Sequence, residues 1–148
     1  MTSGQSDYVE SQTTAQSSGH INCYIRHAGF RISVEMPFIG ASADGYVTRD
    51  CHGKGVVKVK CPYTDRNSVL SELLLIPTMQ CEKNHKYNIQ MQLEMYVSNV
   101  SYCDLVVWQT SSILIVPVER DEELIASVLA RLQDVWVRHI DKTHRETS

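Results

Sequence analysis

The side chains best suited to chemistry in this sequence are one carboxylate and two lysines, each within a short distinctive segment. Asp44 lies in the small, glycine-bounded segment 40–45, and Lys58 and Lys60 lie two residues apart in a β-prone run. A carboxylate is a ligand that Mg²⁺ prefers, and one or two carboxylates suffice to hold that ion. A simpler alternative is also open, because Asp44-Gly45 is a common turn pair and both lysines could face solvent.

Other kinds of reactive site find less support in the sequence. No Ser-His-Asp or Cys-His spacing indicates an activated nucleophile. Four histidines are expected to be surface or structural residues: His27, His52, His85 and His139. The five cysteines are widely spaced, which predicts reduced thiols in an intracellular protein, in the nucleus or the cytoplasm. The alternative for part of this set is a zinc site, which no Cys-x-x-Cys pair anchors: Cys51, His52, Cys61 and Cys81.

Length and composition predict a single domain. The chain has 148 residues, which suits one domain. Its formal net charge is −3, so the overall charge does not indicate binding to nucleic acid, although a local basic cleft is compatible with that charge. Residues 1–21 are rich in Ser, Thr, Gln and Gly, which predicts a disordered tail. The folded domain is expected over residues 22–141 and a frayed end over 142–148. No apolar run is long enough for a membrane helix, so no membrane partner is expected.

The elements that must position Asp44 and the lysines are predicted to be strands. Residues 30–35 alternate apolar and polar, which indicates one strand. Residues 46–48 and 56–61 are β-prone and are separated by a glycine-containing turn, which predicts a hairpin with Lys58 and Lys60 on the same side. Further strands are expected at 102–108 and 113–118.

Helices are predicted around these strands. Residues 68–75 form a short mixed apolar run before Pro77, and residues 124–136 have apolar side chains at spacings of three and four after an acidic start. Residues 84–97 are ambiguous, because apolar side chains alternate as in a strand while the composition favours a helix. The order of elements predicts an α/β fold in which a mixed sheet is flanked by helices.

Four segments together resemble the YqaJ viral recombinase family, which is related to lambda exonuclease. Met36-Pro37-Phe38-Ile39-Gly40-Ala41-Ser42-Ala43-Asp44-Gly45 resembles its PFLGASPDG motif, and Gly55-Val56-Val57-Lys58-Val59-Lys60-Cys61-Pro62-Tyr63 resembles GLLEIKCPY. The segments 85–92 and 102–108 resemble HKYYYQVQ and WCDFVVW. The resemblance implies the restriction-endonuclease-like core of PD-(D/E)xK nucleases, a helix over residues 85–97, and Mg²⁺-dependent cleavage of duplex DNA with free ends.

The resemblance also assigns roles to individual residues. Asp44 matches the metal-binding aspartate, and the backbone carbonyl of Val59 matches a further metal ligand. Lys60 matches the catalytic lysine, which orients or deprotonates the attacking water in the family. Gln90 and Gln92 match two glutamines that lie near the family's active site.

One position departs from the family's pattern. Lys58 stands where the family has the second metal-binding carboxylate, so the local charge changes by two units. Lys58 could pair with Asp44 and occupy the metal position itself. Glu94 lies one helical turn beyond Gln90, so it could supply a substitute carboxylate on the same helix face.

Two hypotheses of different kinds follow from these residues. The first is a Mg²⁺-dependent nuclease, expected to degrade duplex DNA from its ends in recombination or repair, with homo-oligomeric assembly implied by the resemblance alone. The second is a non-catalytic descendant that binds DNA or another partner, or a fragment of a decayed mobile element. The spatial relation of Asp44, Lys58, Lys60 and Glu94 discriminates between them.

Overall fold

A computed structural model describes residues 23–61, 86–108 and 113–141 of the chain. The predicted tail at 1–21, the helix predicted at 68–75 and the predicted frayed end at 142–148 lie outside the described residues. None of the helices within the described ranges is long and apolar enough to cross a membrane.

Five strands form one mixed sheet, and two very short strands form a second pair. The main sheet has the order β1-β4-β5-β6-β7, in which only β5 and β6 are parallel neighbours. The strands are β1 (Cys23–His27), β2 (Arg31–Ile32), β3 (Gly40–Ala41), β4 (Gly45–Arg49), β5 (Gly53–Lys60), β6 (Tyr102–Trp108) and β7 (Ile113–Glu119). The mixed α/β arrangement expected from the sequence is therefore confirmed.

The predicted hairpin is formed by β4 and β5. These strands pair antiparallel with Gly45 opposite Val57 and Arg49 opposite Gly53. Gly53 has a φ of 71°, a conformation that L side chains rarely adopt, so glycine suits this turn. The hairpin register sets Asp44, which directly precedes β4, beside the end of β5.

The parallel pairing of β5 with β6 requires the chain to cross back over the sheet. Helix α1 (Lys86–Ser98) lies on that return path and packs against the sheet. This confirms the helix that the family resemblance implied for residues 85–97. The fully buried Met91 and Met95 of α1 meet Val56, Leu105 and Val107 of the sheet in the hydrophobic core.

The alternating apolar residues of α1 are misleading because the buried face of the helix is partly polar. Asn88, Met91, Gln92 and Met95 are all buried and follow the helical spacing of three and four. Two of these four residues carry polar amide side chains, so a pattern of apolar residues does not predict which face of the helix is buried. The remaining apolar residues of the alternation are only half-buried: Ile89, Leu93 and Val97.

The strand predicted at residues 30–35 is largely wrong. Only Arg31–Ile32 forms a strand, and it pairs with β3 rather than with the main sheet. The hydroxyl of Ser33 accepts a hydrogen bond from the N–H of Met36, a local bond that turns the chain and competes with strand pairing. Val34, next to this bond, is 96% exposed.

The last helix is confirmed. Helix α2 (Glu122–Val135) begins after Asp121, which is its N-cap residue. The carboxylate of Asp121 accepts a hydrogen bond from the N–H of Leu124. A short π-helical turn, Trp136–Asp141, continues it. Trp136 stacks on Phe38 with ring centroids 4.9 Å apart. Trp108, at the end of β6, is 58% exposed.

Candidate functional site

The predicted site residues meet at the open end of the β4–β5 hairpin. The N–H of Asp44 donates to the carbonyl of Val57 at 3.0 Å, which extends the strand pairing by one residue. The carboxylate of Asp44 accepts a hydrogen bond from the N–H of Val59 at 2.7 Å. The Val59 peptide is thus held beside Asp44, and the contact with the carboxylate is made through its N–H.

Lys58 is not a solvent-facing lysine. The residue is only 7% exposed, because its side chain points to the face of the sheet that α1 covers. The ammonium lies 2.9 Å from the carboxylate of Glu94 and 3.8 Å from that of Asp44. It also donates to the carbonyl of Ser42 at 3.4 Å. The ammonium of Lys58 therefore occupies the space between the two carboxylates.

Glu94 is brought to the site by the helix, at the position considered for a substitute carboxylate. The residue is 2% exposed, and none of the described polar groups bonds its Oε2 atom. Burial raises the pKa of Glu94, and the hydrogen bond and charge of Lys58 oppose that rise. Glu94 is deeply buried and depends on Lys58 for charge compensation when it is ionised.

The acidic and basic groups of the cluster balance in charge. Asp44 and Glu94 supply two carboxylates, and Lys58 and Lys60 supply two ammonium groups. Within the described ranges, no group of three or more His, Cys, Asp or Glu side chains is arranged to hold a metal ion. A divalent cation about 4 Å from an ammonium would be repelled by roughly 8 kcal/mol at an effective dielectric of about 20. The residues as they stand do not fit a Mg²⁺ ion while Lys58 lies between the carboxylates.

Lys60 lies beside Lys58 on the same face of β5 and contacts the first turns of α1. Its ammonium donates to the side-chain oxygen of Gln90 at 3.4 Å and lies 4.7 Å from the centroid of the Tyr87 ring. The lysine is half-buried, so its ammonium stays accessible from solvent. The structure therefore brings Gln90 and Lys60 together at the edge of the cluster.

Gln92 occupies a different place from Gln90. It is 1% exposed, and its amide nitrogen donates to the carbonyl of Glu119 at 2.8 Å and to the side chain of Asn88 at 3.2 Å. Its amide oxygen accepts from the N–H of Asp121 at 2.8 Å. These bonds connect α1 to the start of α2, so the structure gives Gln92 a structural place in the core.

Asp104 lies in β6 and makes a structural ion pair within the sheet. Its buried carboxylate forms a two-pronged ion pair with the guanidinium of Arg49, across β5, which lies between their strands. The partner was not apparent from the sequence, because Arg49 and Asp104 are 55 residues apart. Only the strand order brings them together.

The zinc ligands considered from the sequence do not form a centre among the described residues. His52 Nδ1 lies 2.8 Å from the sulfur of Cys51, within the exposed turn between β4 and β5. Cys61 is an exposed free thiol at the end of β5, and Cys81 lies outside the described ranges. The alternative therefore has no support in the part of the chain that the structure describes.

The fold and the paired motifs define a known class of domain. A family model, the YqaJ-like viral recombinase domain, matches residues 10–101. The chain therefore belongs to the family of YqaJ-like viral recombinase domains. Its matched region contains the hairpin with Asp44, Lys58 and Lys60 and the helix with Gln90 and Glu94.

Solved structures share the fold. The alkaline exonuclease LHK-Exo from Laribacter hongkongensis matches with a TM-score of 0.55 and 21% identity, over 85% of this chain and 65% of that chain. LHK-Exo in complex with dAMP matches with a TM-score of 0.57 and 23% identity over the same shares. The chain thus spans about two thirds of the length of these exonuclease chains. No curated protein matches the sequence.

Proposed function

We propose that this chain is a nuclease-family domain that binds duplex DNA without hydrolysing it, because a lysine takes the place of the catalytic metal ion. The observation that carries the proposal is the position of Lys58, whose ammonium lies 2.9 Å from Glu94 and 3.8 Å from Asp44. Membership of the YqaJ-like family and the fold shared with an alkaline exonuclease support DNA as the partner.

The chemistry of the cluster explains why cleavage is not expected. Metal-dependent hydrolysis of a phosphodiester uses a cation that polarises the phosphate and lowers the pKa of the attacking water. An ammonium supplies one positive charge but has no open coordination position for water or phosphate. Lys58 is also engaged by Glu94, Asp44 and the Ser42 carbonyl, so its hydrogens are directed into the protein.

The proposal is tested by assaying the purified chain on linear duplex DNA with Mg²⁺, beside the variant Lys58→Glu. We expect the wild-type chain to leave the DNA intact. We expect Lys58→Glu to gain Mg²⁺ binding, measured by calorimetry, because three carboxylates then surround one point and the competing ammonium is gone. Slow Mg²⁺-dependent degradation of the DNA by this variant is expected to follow.

The matched control is Lys86→Glu, which makes the same charge change at an exposed lysine at the start of α1. It is expected to leave Mg²⁺ binding unchanged. Wild-type cleavage that requires Mg²⁺ and is abolished by Asp44→Asn would contradict the proposal. Failure of Lys58→Glu to bind Mg²⁺ better than the control would show that Lys58 is not what keeps the metal out.

One observation favours a second candidate function, a Mg²⁺-dependent exonuclease. The buried Glu94 points into the cluster with one oxygen unbonded among the described polar groups, and Asp44, Lys60 and Gln90 stand beside it. Withdrawal of the Lys58 side chain would leave two carboxylates and a lysine in place. Under this second function, the wild-type chain cleaves DNA and the Glu94→Gln variant does not. Under the first proposal, neither protein cleaves DNA.

A further inference from the structure

A basic cleft of about 340 Å³ lies beyond the C-terminal end of α1. Its basic side chains are Arg26 from β1, Arg31 from β2 and Lys54 from β5, and Tyr46 and Ser98 also line it. Among the described residues, no carboxylate lines the cleft, and no member of the Asp44–Lys58–Glu94 cluster belongs to it. The cleft is therefore a separate feature on the same side of the sheet as α1.

The ring of Tyr46 organises the two arginines. The guanidinium carbons of Arg26 and Arg31 lie 5.3 Å and 4.8 Å from the centroid of this ring. The ring is anchored in turn, because its hydroxyl lies 3.3 Å from the hydroxyl of Ser98 in the last turn of α1. Two guanidinium groups are thus held near one aromatic ring, an arrangement that keeps their N–H groups available for an anion.

The basic side chains of the cleft are not needed to compensate the helix dipole of α1 or a buried carboxylate. The C-terminal end of a helix carries about half a negative charge, so one nearby cation is stabilising. For α1 that cation is Arg120, whose guanidinium donates to the carbonyls of Met95 and Val100 at 3.3 Å each. Five described carboxylates form ion pairs with basic residues outside the cleft: Asp44, Glu94, Asp104, Glu122 and Asp134. Arg26, Arg31 and Lys54 therefore leave the cleft with a surplus of positive charge.

We propose that this cleft binds a phosphodiester group of the DNA backbone, at a point outside the Asp44–Lys58–Glu94 cluster. The proposal rests on the proposed function, in which duplex DNA is the partner. A guanidinium matches the geometry of a phosphate with two parallel N–H groups, and small polar side chains such as Thr48 and Ser98 commonly complete such contacts. Phosphate contacts of this kind position a protein on nucleic acid without reading its sequence.

The test measures binding of the full chain to a short fluorescent duplex by anisotropy over a series of salt concentrations. Arg26→Gln/Arg31→Gln is compared with the wild type and with Arg131→Gln/Arg138→Gln, which removes two charges from exposed arginines of the last helix and the turn after it. We expect the cleft variant to bind at least tenfold more weakly at moderate salt. The slope of log affinity against log salt should also fall, by about one for each phosphate that the variant no longer neutralises.

Each outcome decides the proposal. Equal affinity and salt slope in the cleft and control variants would overturn it, and so would a wild-type chain that binds pyrophosphate but not DNA. If thermal unfolding shows that the double variant is not folded, the single variants Arg26→Gln and Arg31→Gln, at exposed side chains, replace it. The Mg²⁺ binding of Lys58→Glu is measured independently, so failure of the cleft leaves the replacement of the metal by Lys58 standing.

Discussion

At the scale of single residues, the central feature is a buried ammonium between two carboxylates. Removing one partner of a buried ion pair usually costs several kcal/mol because it leaves an uncompensated charge, whereas replacing the whole pair by apolar groups is often neutral. Lys58 and Glu94 are both buried, so each restricts what the other position tolerates. The Lys58→Glu substitution removes the compensating charge, so without Mg²⁺ that variant is expected to be less stable than the wild type.

The pKa of Glu94 provides a residue-scale prediction. Burial raises this pKa above its ordinary value near 4.5, and Lys58 opposes the rise. Lys58→Met removes the ammonium, so the pKa of Glu94 should rise further. Carboxyl chemical shifts followed by NMR over a pH titration measure the change directly.

The same substitution has a defined effect on stability. A carboxyl whose pKa is raised in the folded state contributes stability that is fully present below its unfolded pKa and is lost as pH rises through the folded pKa. Between acidic and neutral pH, the free energy of unfolding of Lys58→Met should therefore fall more than that of the wild type. Urea unfolding measures this, with Lys54→Met, at an exposed lysine of the same strand, as the control. A parallel pH profile for both variants would contradict the assigned role of Lys58.

At the scale of elements, the contact between α1 and the start of α2 depends on one amide. Gln92→Leu would leave the N–H of Asp121 and the carbonyl of Glu119 without their buried partner. A buried polar group left unsatisfied costs about 1–3 kcal/mol, so the variant should lose roughly 2 kcal/mol or more in the free energy of unfolding. Gln133→Leu, at an exposed position of α2, is the control and should change little.

The two paired glutamines should also differ in their effect on DNA binding. If Gln92 acts only by joining the two helices, Gln92→Leu should alter stability without changing the affinity for DNA of the folded fraction. Gln90→Leu should instead weaken DNA binding without changing stability, because Gln90 is exposed and contacts Lys60 at the edge of the cluster. A selective loss of DNA affinity in Gln92→Leu would instead support the site role that the family resemblance implied.

At the scale of the whole molecule, the cysteines report on global opening. Cys103 is fully buried under α1, and burial raises the pKa of its thiol far above the ordinary value. Cys51 and Cys61 are exposed cysteines. Alkylation followed by peptide mass mapping should modify Cys51 and Cys61 rapidly, and Cys103 only at the rate of global unfolding. Modification of Cys103 as fast as Cys61 would mean that α1 detaches from the sheet without full unfolding.

Much of the architecture could be predicted from local signals. The β4–β5 hairpin follows from two β-prone runs around a glycine turn, and α2 follows from its acidic start and apolar spacing. The prediction of a strand at 30–35 was largely wrong, because the Ser33 hydroxyl accepts a local hydrogen bond from the N–H of Met36 that an alternating sequence pattern does not reveal. Homo-oligomeric assembly stays a prediction from the resemblance. The chain spans 65% of the length of the exonuclease chains that share its fold.

The sequence by itself determined the family and the chemical identity of the cluster, because Asp44, Lys58 and Lys60 lie within short motifs whose spacing is local. Only the tertiary structure decided what these groups do to one another. Sheet register sets Asp44 beside the end of β5, and the crossover of α1 brings Glu94 within 2.9 Å of Lys58. The physical reason is that charge compensation depends on distance and burial, and both arise from contacts between segments far apart in the chain.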